Sequence, residues 1–148
     1  MDTTCIDKLL TKLCGNQFLG VFPWTQLPTD ELVKPCLFVA NTDCHHLPGV
    51  HWVAIYIGRD GVGEYLDSYG RVPDLHFQQF MNLHCSRWTY NVKQLQHVAS
   101  ELCGHYCIFF CAYRSVGFSM TTIMSWFTRN TRANDALVYK FVCRRIIM

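Results

Sequence analysis

Apolar positions Ile6, Leu9, Leu10, Leu13 and Cys14 recur at helical spacing across residues 4–14, with Thr3 or Thr4 as N-cap and Gly15 as stop, predicting a short amphipathic helix. Residues 18–28 mix aromatics with two prolines, which predicts an irregular arm packed on the body rather than a strand. Residues 36–41 form an apolar run of strand length. After a polar turn over 42–49, residues 50–57 form a second strand rich in β-branched and aromatic side chains. Asp60-Gly61 then predicts a hairpin turn, residues 64–67 the returning strand, and Ser68-Tyr69-Gly70 its end. Helical spacing resumes over 73–84 through Leu75, Phe77, Phe80, Met81 and Leu83, with Pro73 in the first turn. Residues 88–91 read as a short edge strand. A polar loop then meets an apolar helix at Cys103, running to about Ser115; Gly117 breaks it, and amphipathic segments follow over 119–129 and 134–144. Helices flanking both ends of a run of short strands define an α+β class: a mixed, mostly antiparallel central sheet flanked by helices.

Composition adds size and compartment to this outline. The 148 residues suit one domain over 1–148, and a hydrophobic fraction of 50% with 14% aromatics gives material for a core. Nothing is repetitive or low in complexity. Nine cysteines are an odd count, the first residues carry Asp2 and Asp7 without a long apolar run, and no apolar stretch approaches a membrane span. The expectation is an intracellular, reducing compartment with mostly reduced thiols and no membrane partner. The formal net charge is only +2, yet residues 1–110 carry seven Lys/Arg against ten Asp/Glu, while 111–148 carry six against one. That basic segment suits a solvated helix face or an anionic partner such as nucleic acid.

Candidate chemistry centres on Cys103. A thiol at a helix N-terminus meets unpaired N–H groups and the positive end of the helix dipole, which favour a thiolate. Its plain alternative is a small buried hydrophobe capping a core helix. A cysteine nucleophile needs a base, a group that orients the base, and donors for the developing oxyanion. His51, near the start of the strongest strand, and Asp67, closing its hairpin partner, could meet at one end of the sheet. Gln96 lies seven residues before Cys103, within loop reach, so its amide could join the Cys103 backbone N–H as an oxyanion hole. Each residue alone has a duller explanation. Their joint order and location carry the reading.

These residues reach a known family. Phe18-Leu19-Gly20, Val39-Ala40-Asn41-Thr42, Gly49-Val50-His51-Trp52, Leu66-Asp67-Ser68-Tyr69-Gly70, and Gln96 through Cys103-Gly104-His105-Tyr106-Cys107 make the chain resemble the adenain family, the adenovirus-type cysteine endopeptidases with relatives encoded by viruses and transposons. The resemblance implies an adenain-like fold, with His51 as general base, Asp67 as orienting carboxylate, Gln96 as oxyanion donor and Cys103 as nucleophile. The adenoviral enzymes have Glu where this chain has Asp67; proteases for ubiquitin-like modifiers in the same superfamily use Asp. The resemblance further implies viral capsid-precursor substrates cut near glycine during virion maturation, in the host nucleus and virion. Trp52 is expected beside the site or in the core.

Two accessories follow from the same resemblance. Cys85 occupies the relative place where adenoviral enzymes bond a short activating peptide through a disulfide, with a plain surface thiol as the alternative. The basic C-terminal segment suits a non-specific DNA cofactor. No obligatory cofactor is expected from the residues themselves. Competing readings are a protease for ubiquitin-like modifiers, a non-catalytic adenain-like capsid or interaction component, and a zinc module using Cys44-His45-His46 or Cys103, Cys107 and Cys111. The last lacks the paired-ligand spacing typical of zinc, so no metal site is expected.

Overall fold

The computed structural model describes residues 1–42 and 51–147. The predicted polar turn, Val50 and the Cys44-His45-His46 cluster therefore lie outside the described residues, apart from Thr42 at the turn's start.

A five-stranded sheet carries the molecule, in the order β1-β2-β3-β4-β5. Its strands are β1 (Phe18–Phe22), β2 (Cys36–Thr42), β3 (His51–Ile57), β4 (Val62–Leu66) and β5 (Arg87–Tyr90). The central strands β2, β3 and β4 pair antiparallel, whereas the edge strands β1 and β5 each run parallel to their neighbour. β1 corrects the expectation of an irregular arm. Its register slips between Phe18 and Val21, and Gly20 sits at φ +135°, so the segment hides its strand character behind a bulge while still pairing through Val21 and Phe22. Pro23 follows immediately and ends it.

Alternation along the strands sorts side chains onto two faces. Leu37, Val39, Trp52, Ala54, Tyr56 and Leu66 enter one buried cluster, and Phe38, Ala40, Val53, Ile55, Ile57 and Tyr65 another. Both faces are covered, which explains why β3 is buried at every position. The first face is packed by α1 (Thr3–Cys14), α3 (Cys103–Ser115), α4 (Met120–Ser125) and α5 (Thr131–Ile147). The second is packed by α2 (Leu75–His84) through Phe77, Phe80 and Met81. Each fully buried Leu, Ile or Phe contributes roughly 1.5–3 kcal/mol of transfer free energy.

Local chemistry sets the element ends. Asp2 accepts a hydrogen bond from Cys5 N–H at 2.8 Å to cap α1. Asn130 accepts one from Ala133 N–H at 3.1 Å, so α5 begins upstream of the predicted residue 134. The α3 helix differs: Leu102 stands at its N-cap and gives no side-chain bond to the first turn. Among the described residues, no helix is long and apolar enough to cross a membrane.

Candidate active site

β3 and α3 deliver the first two functional side chains. His51 is the first residue of β3, and Cys103 is the first residue of α3, which packs across the first face of the sheet. His51 is hydrogen-bonded with Cys103, and its ring Nε2 lies 2.8 Å from Asp67 Oδ1. Asp67 directly follows β4, the antiparallel partner of β3, so the two strand ends meet as the hairpin predicted. The imidazole is thus held between carboxylate and sulfur. With Nε2 committed to Asp67, Nδ1 is the ring nitrogen left for the thiol.

Electrostatics follow from that sandwich. Burial pulls the His51 imidazole below its ordinary value, but its hydrogen bonds to Asp67 and Cys103, and their charges, outweigh burial and raise it to about 9. His51, Asp67 and Cys103 are 4%, 5% and 6% exposed, so water screens these contacts little. The Tyr69 ring packs tilted against the imidazole with ring centroids 5.2 Å apart, and its backbone N–H donates to Asp67 Oδ1 at 2.8 Å. Trp52 lies in the first core cluster, and its Cδ1 comes within 3.4 Å of where a Cβ on Gly104 would stand. It is a core tryptophan at the site's edge.

Gln96 is brought to the same turn by other contacts. The backbone N–H groups of Leu95 and Gln96 both donate to Ser68 O, at 2.8 and 3.0 Å. The Gln96 side chain accepts from Ser68 Oγ at 2.6 Å and donates through Nε2 to Ser100 O at 2.8 Å. Behind it, Asn134 Nδ2 donates to Leu95 O at 3.1 Å, and Asp135 Oδ1 lies 2.7 Å from Tyr106 OH and accepts from His97 N–H at 3.4 Å.

The other thiols separate cleanly from Cys103. Burial pushes the Cys107 and Cys111 thiols well above their ordinary value, consistent with packing on the inner face of α3. Cys85, half-buried at the C-cap of α2, packs on Gly63 and the second core cluster. Gly63 pairs with Ile57 at the opposite end of β3 from His51, roughly 20 Å along the strand. Among the described residues, no group of three His, Cys, Asp or Glu side chains is placed to hold a metal ion.

Sequence reasoning did not single out Ser68, Asn91 or Ser100. Asn91 Oδ1 accepts from Asp67 N–H at 2.9 Å while its Nδ2 donates to Asp67 O at 2.6 Å. Their signals were slight: a serine behind a strand-end aspartate, and an asparagine at the end of a short edge strand.

Comparison with known proteins fits this geometry. The chain is 33% identical over 115 residues to the cysteine protease S273R of African swine fever virus, isolate Tick/Malawi/Lil 20-1/1983, a match covering 70% of this chain and 40% of that protein. It is 32% identical, with the same coverage, to a protein of isolate Pig/Kenya/KEN-50/1950 named SUMO-1 cysteine protease S273R. The selenomethionyl crystal structure of the African swine fever virus pS273R protease superposes with a TM-score of 0.65 at 25% identity, over 96% of this chain and 66% of that one. The chain belongs to the adenain-like family of cysteine proteases. This adenain-like chain spans 40% of the length of the curated relatives it matches. The central domain of Lpg1148 from Legionella pneumophila shares the fold alone, at a TM-score of 0.55 and 11% identity. No family model matches the chain.

Proposed function

We propose that this chain is a cysteine endopeptidase of viral maturation type, cutting precursor polyproteins near glycine through Cys103, His51 and Asp67, with Gln96 as oxyanion donor. One observation carries the reading: His51 is bonded at once to the carboxylate of Asp67 and to Cys103.

In the proposed cycle, His51 takes the Cys103 proton and the sulfur attacks the scissile carbonyl carbon. The oxyanion is held by the Cys103 backbone N–H and Gln96 Nε2. Collapse breaks the C–N bond, with the imidazolium giving its proton to the leaving amine and leaving a thioester on Cys103. Water then attacks the thioester while His51 accepts its proton, and the acid product leaves as the thiol is restored. Asp67 keeps Nε2 protonated and the ring oriented throughout.

An electrophilic probe ending in Gly-Gly tests the assignment. Mass spectrometry is expected to map the adduct to Cys103, and preferential labelling elsewhere would overturn it. A second reading, a protease for ubiquitin-like modifiers, is favoured by the printed name of one relative, SUMO-1 cysteine protease S273R. Cleavage of a Gly-Gly-ending modifier fusion in place of a capsid-precursor peptide would select it. The DNA and activating-peptide proposals concern the basic residues of α5, among them Arg132, Lys140 and Arg144, and Cys85 respectively. Rate enhancement by duplex DNA that disappears at high salt would support the former.

A further inference from the structure

Ser68 stands one residue past Asp67 and is 1% exposed. Its hydroxyl reaches Gln96 Oε1 at 2.6 Å, while Gln96 Nε2 donates to Ser100 O at 2.8 Å. A peptide carbonyl can only accept, so the amide nitrogen must face Ser100 and the amide oxygen must face Ser68. The hydroxyl is then obliged to donate. Turned the other way, the amide would set two acceptors, its own oxygen and Ser100 O, against each other. The Ser100 carbonyl is itself steadied by Tyr69 OH at 3.2 Å.

Two further facts separate orientation from simple stitching. The turn after β4 is already fastened to the 95–96 segment by the two backbone bonds into Ser68 O, which need no hydroxyl. Gln96 is 0% exposed, yet among the described residues its Nε2 has one protein acceptor, leaving its second hydrogen for another group. Buried donors are seldom left that way without a purpose.

We infer that Ser68 is a positioning residue of the oxyanion hole: its hydroxyl locks the Gln96 amide so that one N–H remains turned to the substrate oxyanion. The inference rests on the proposed role of Gln96. One short turn then serves both halves of the chemistry, Asp67 orienting the base and Ser68 orienting the oxyanion donor.

The test compares Ser68→Ala, Gln96→Ala and the double variant on two reactions. Hydrolysis of a peptidyl-Gly-Gly-aminocoumarin builds an oxyanion; alkylation of Cys103 by iodoacetamide, mapped by mass spectrometry, does not. S68A is expected to lower kcat about tenfold or more with KM unchanged, to alkylate at the wild-type rate, and to add less than about twofold in the Q96A background. Should S68A fold poorly, Ser68→Cys, close in volume and a weak donor, is expected to show the same split between the two reactions. Unchanged kcat in S68A, an equal fall in the Q96A background, or parallel loss of alkylation would overturn the positioning role. Full kcat in Q96A alone would instead remove Gln96 as an oxyanion donor, a failure visible before Ser68 is altered.

Discussion

Asn91 grips Asp67 by both backbone groups, accepting its N–H at 2.9 Å and donating to its carbonyl at 2.6 Å. The carboxylate that orients His51 therefore sits on a main chain fixed from outside its own strand. Asn91→Leu strands the buried Asp67 N–H, while the Asp67 carbonyl keeps its bond from Gly70 N–H at 2.7 Å, so roughly 1–3 kcal/mol of stability should be lost in urea unfolding. Turnover should fall as well, because the imidazole loses its fixed partner.

The His51 proton makes the protein's behaviour depend on alkaline pH. Its value is raised from 6.5 to about 9, against burial, by the hydrogen bonds and charges of Asp67 and Cys103. The native state binds this proton more tightly than the unfolded chain. The resulting stabilisation is complete below about pH 6.5 and is lost as pH rises through about 9. With imidazolium as the acid for the leaving amine, kcat/KM should decline on the alkaline side near 9. Asp67→Asn removes the carboxylate and should move that limb down by about one pH unit or more, as read from a pH profile.

Cysteine substitutions on α3 should divide sharply. Cys103→Ala should abolish turnover without changing the fold seen by circular dichroism. Cys107→Ala leaves the reacting groups in place and should retain turnover, at a stability cost of about 1 kcal/mol for a small buried side chain. Limiting iodoacetamide at neutral pH should modify Cys103 ahead of Cys107 and Cys111, whose thiols burial pushes well up.

Gly70 offers a test of the turn itself. It lies at φ +72°, and a Cβ there would stand 2.5 Å from Lys93 C and 2.6 Å from Lys93 O. Both are backbone atoms with little room to yield. Gly70→Ala should cost more than about 2 kcal/mol and depress kcat by shifting the turn that carries Asp67 and Ser68; thermal unfolding and peptide hydrolysis read the two effects.

Much of this site could be read from residue types at the ends of elements. His51 opening a strongly apolar strand and Asp67 closing its hairpin are local signals, and antiparallel pairing turns them into a contact. Cys103 was legible because polarity changes abruptly at the start of α3. The supports were hidden for a physical reason: Asn91 lies 24 residues from Asp67, Gln96 lies 28 from Ser68, and polar side chains in loops look solvent-exposed until the fold buries them. β1 was missed for another reason. An edge strand with a slipped register and a positive-φ glycine lacks the alternation by which strands are recognised.

Asn134 and Asp135, in the first turns of α5, brace the segment around Gln96 through Leu95 O and His97 N. The four candidate site residues, His51, Asp67, Gln96 and Cys103, all precede that helix in the chain. Under the proposed function, the brace on the oxyanion donor is synthesised after every group that it serves.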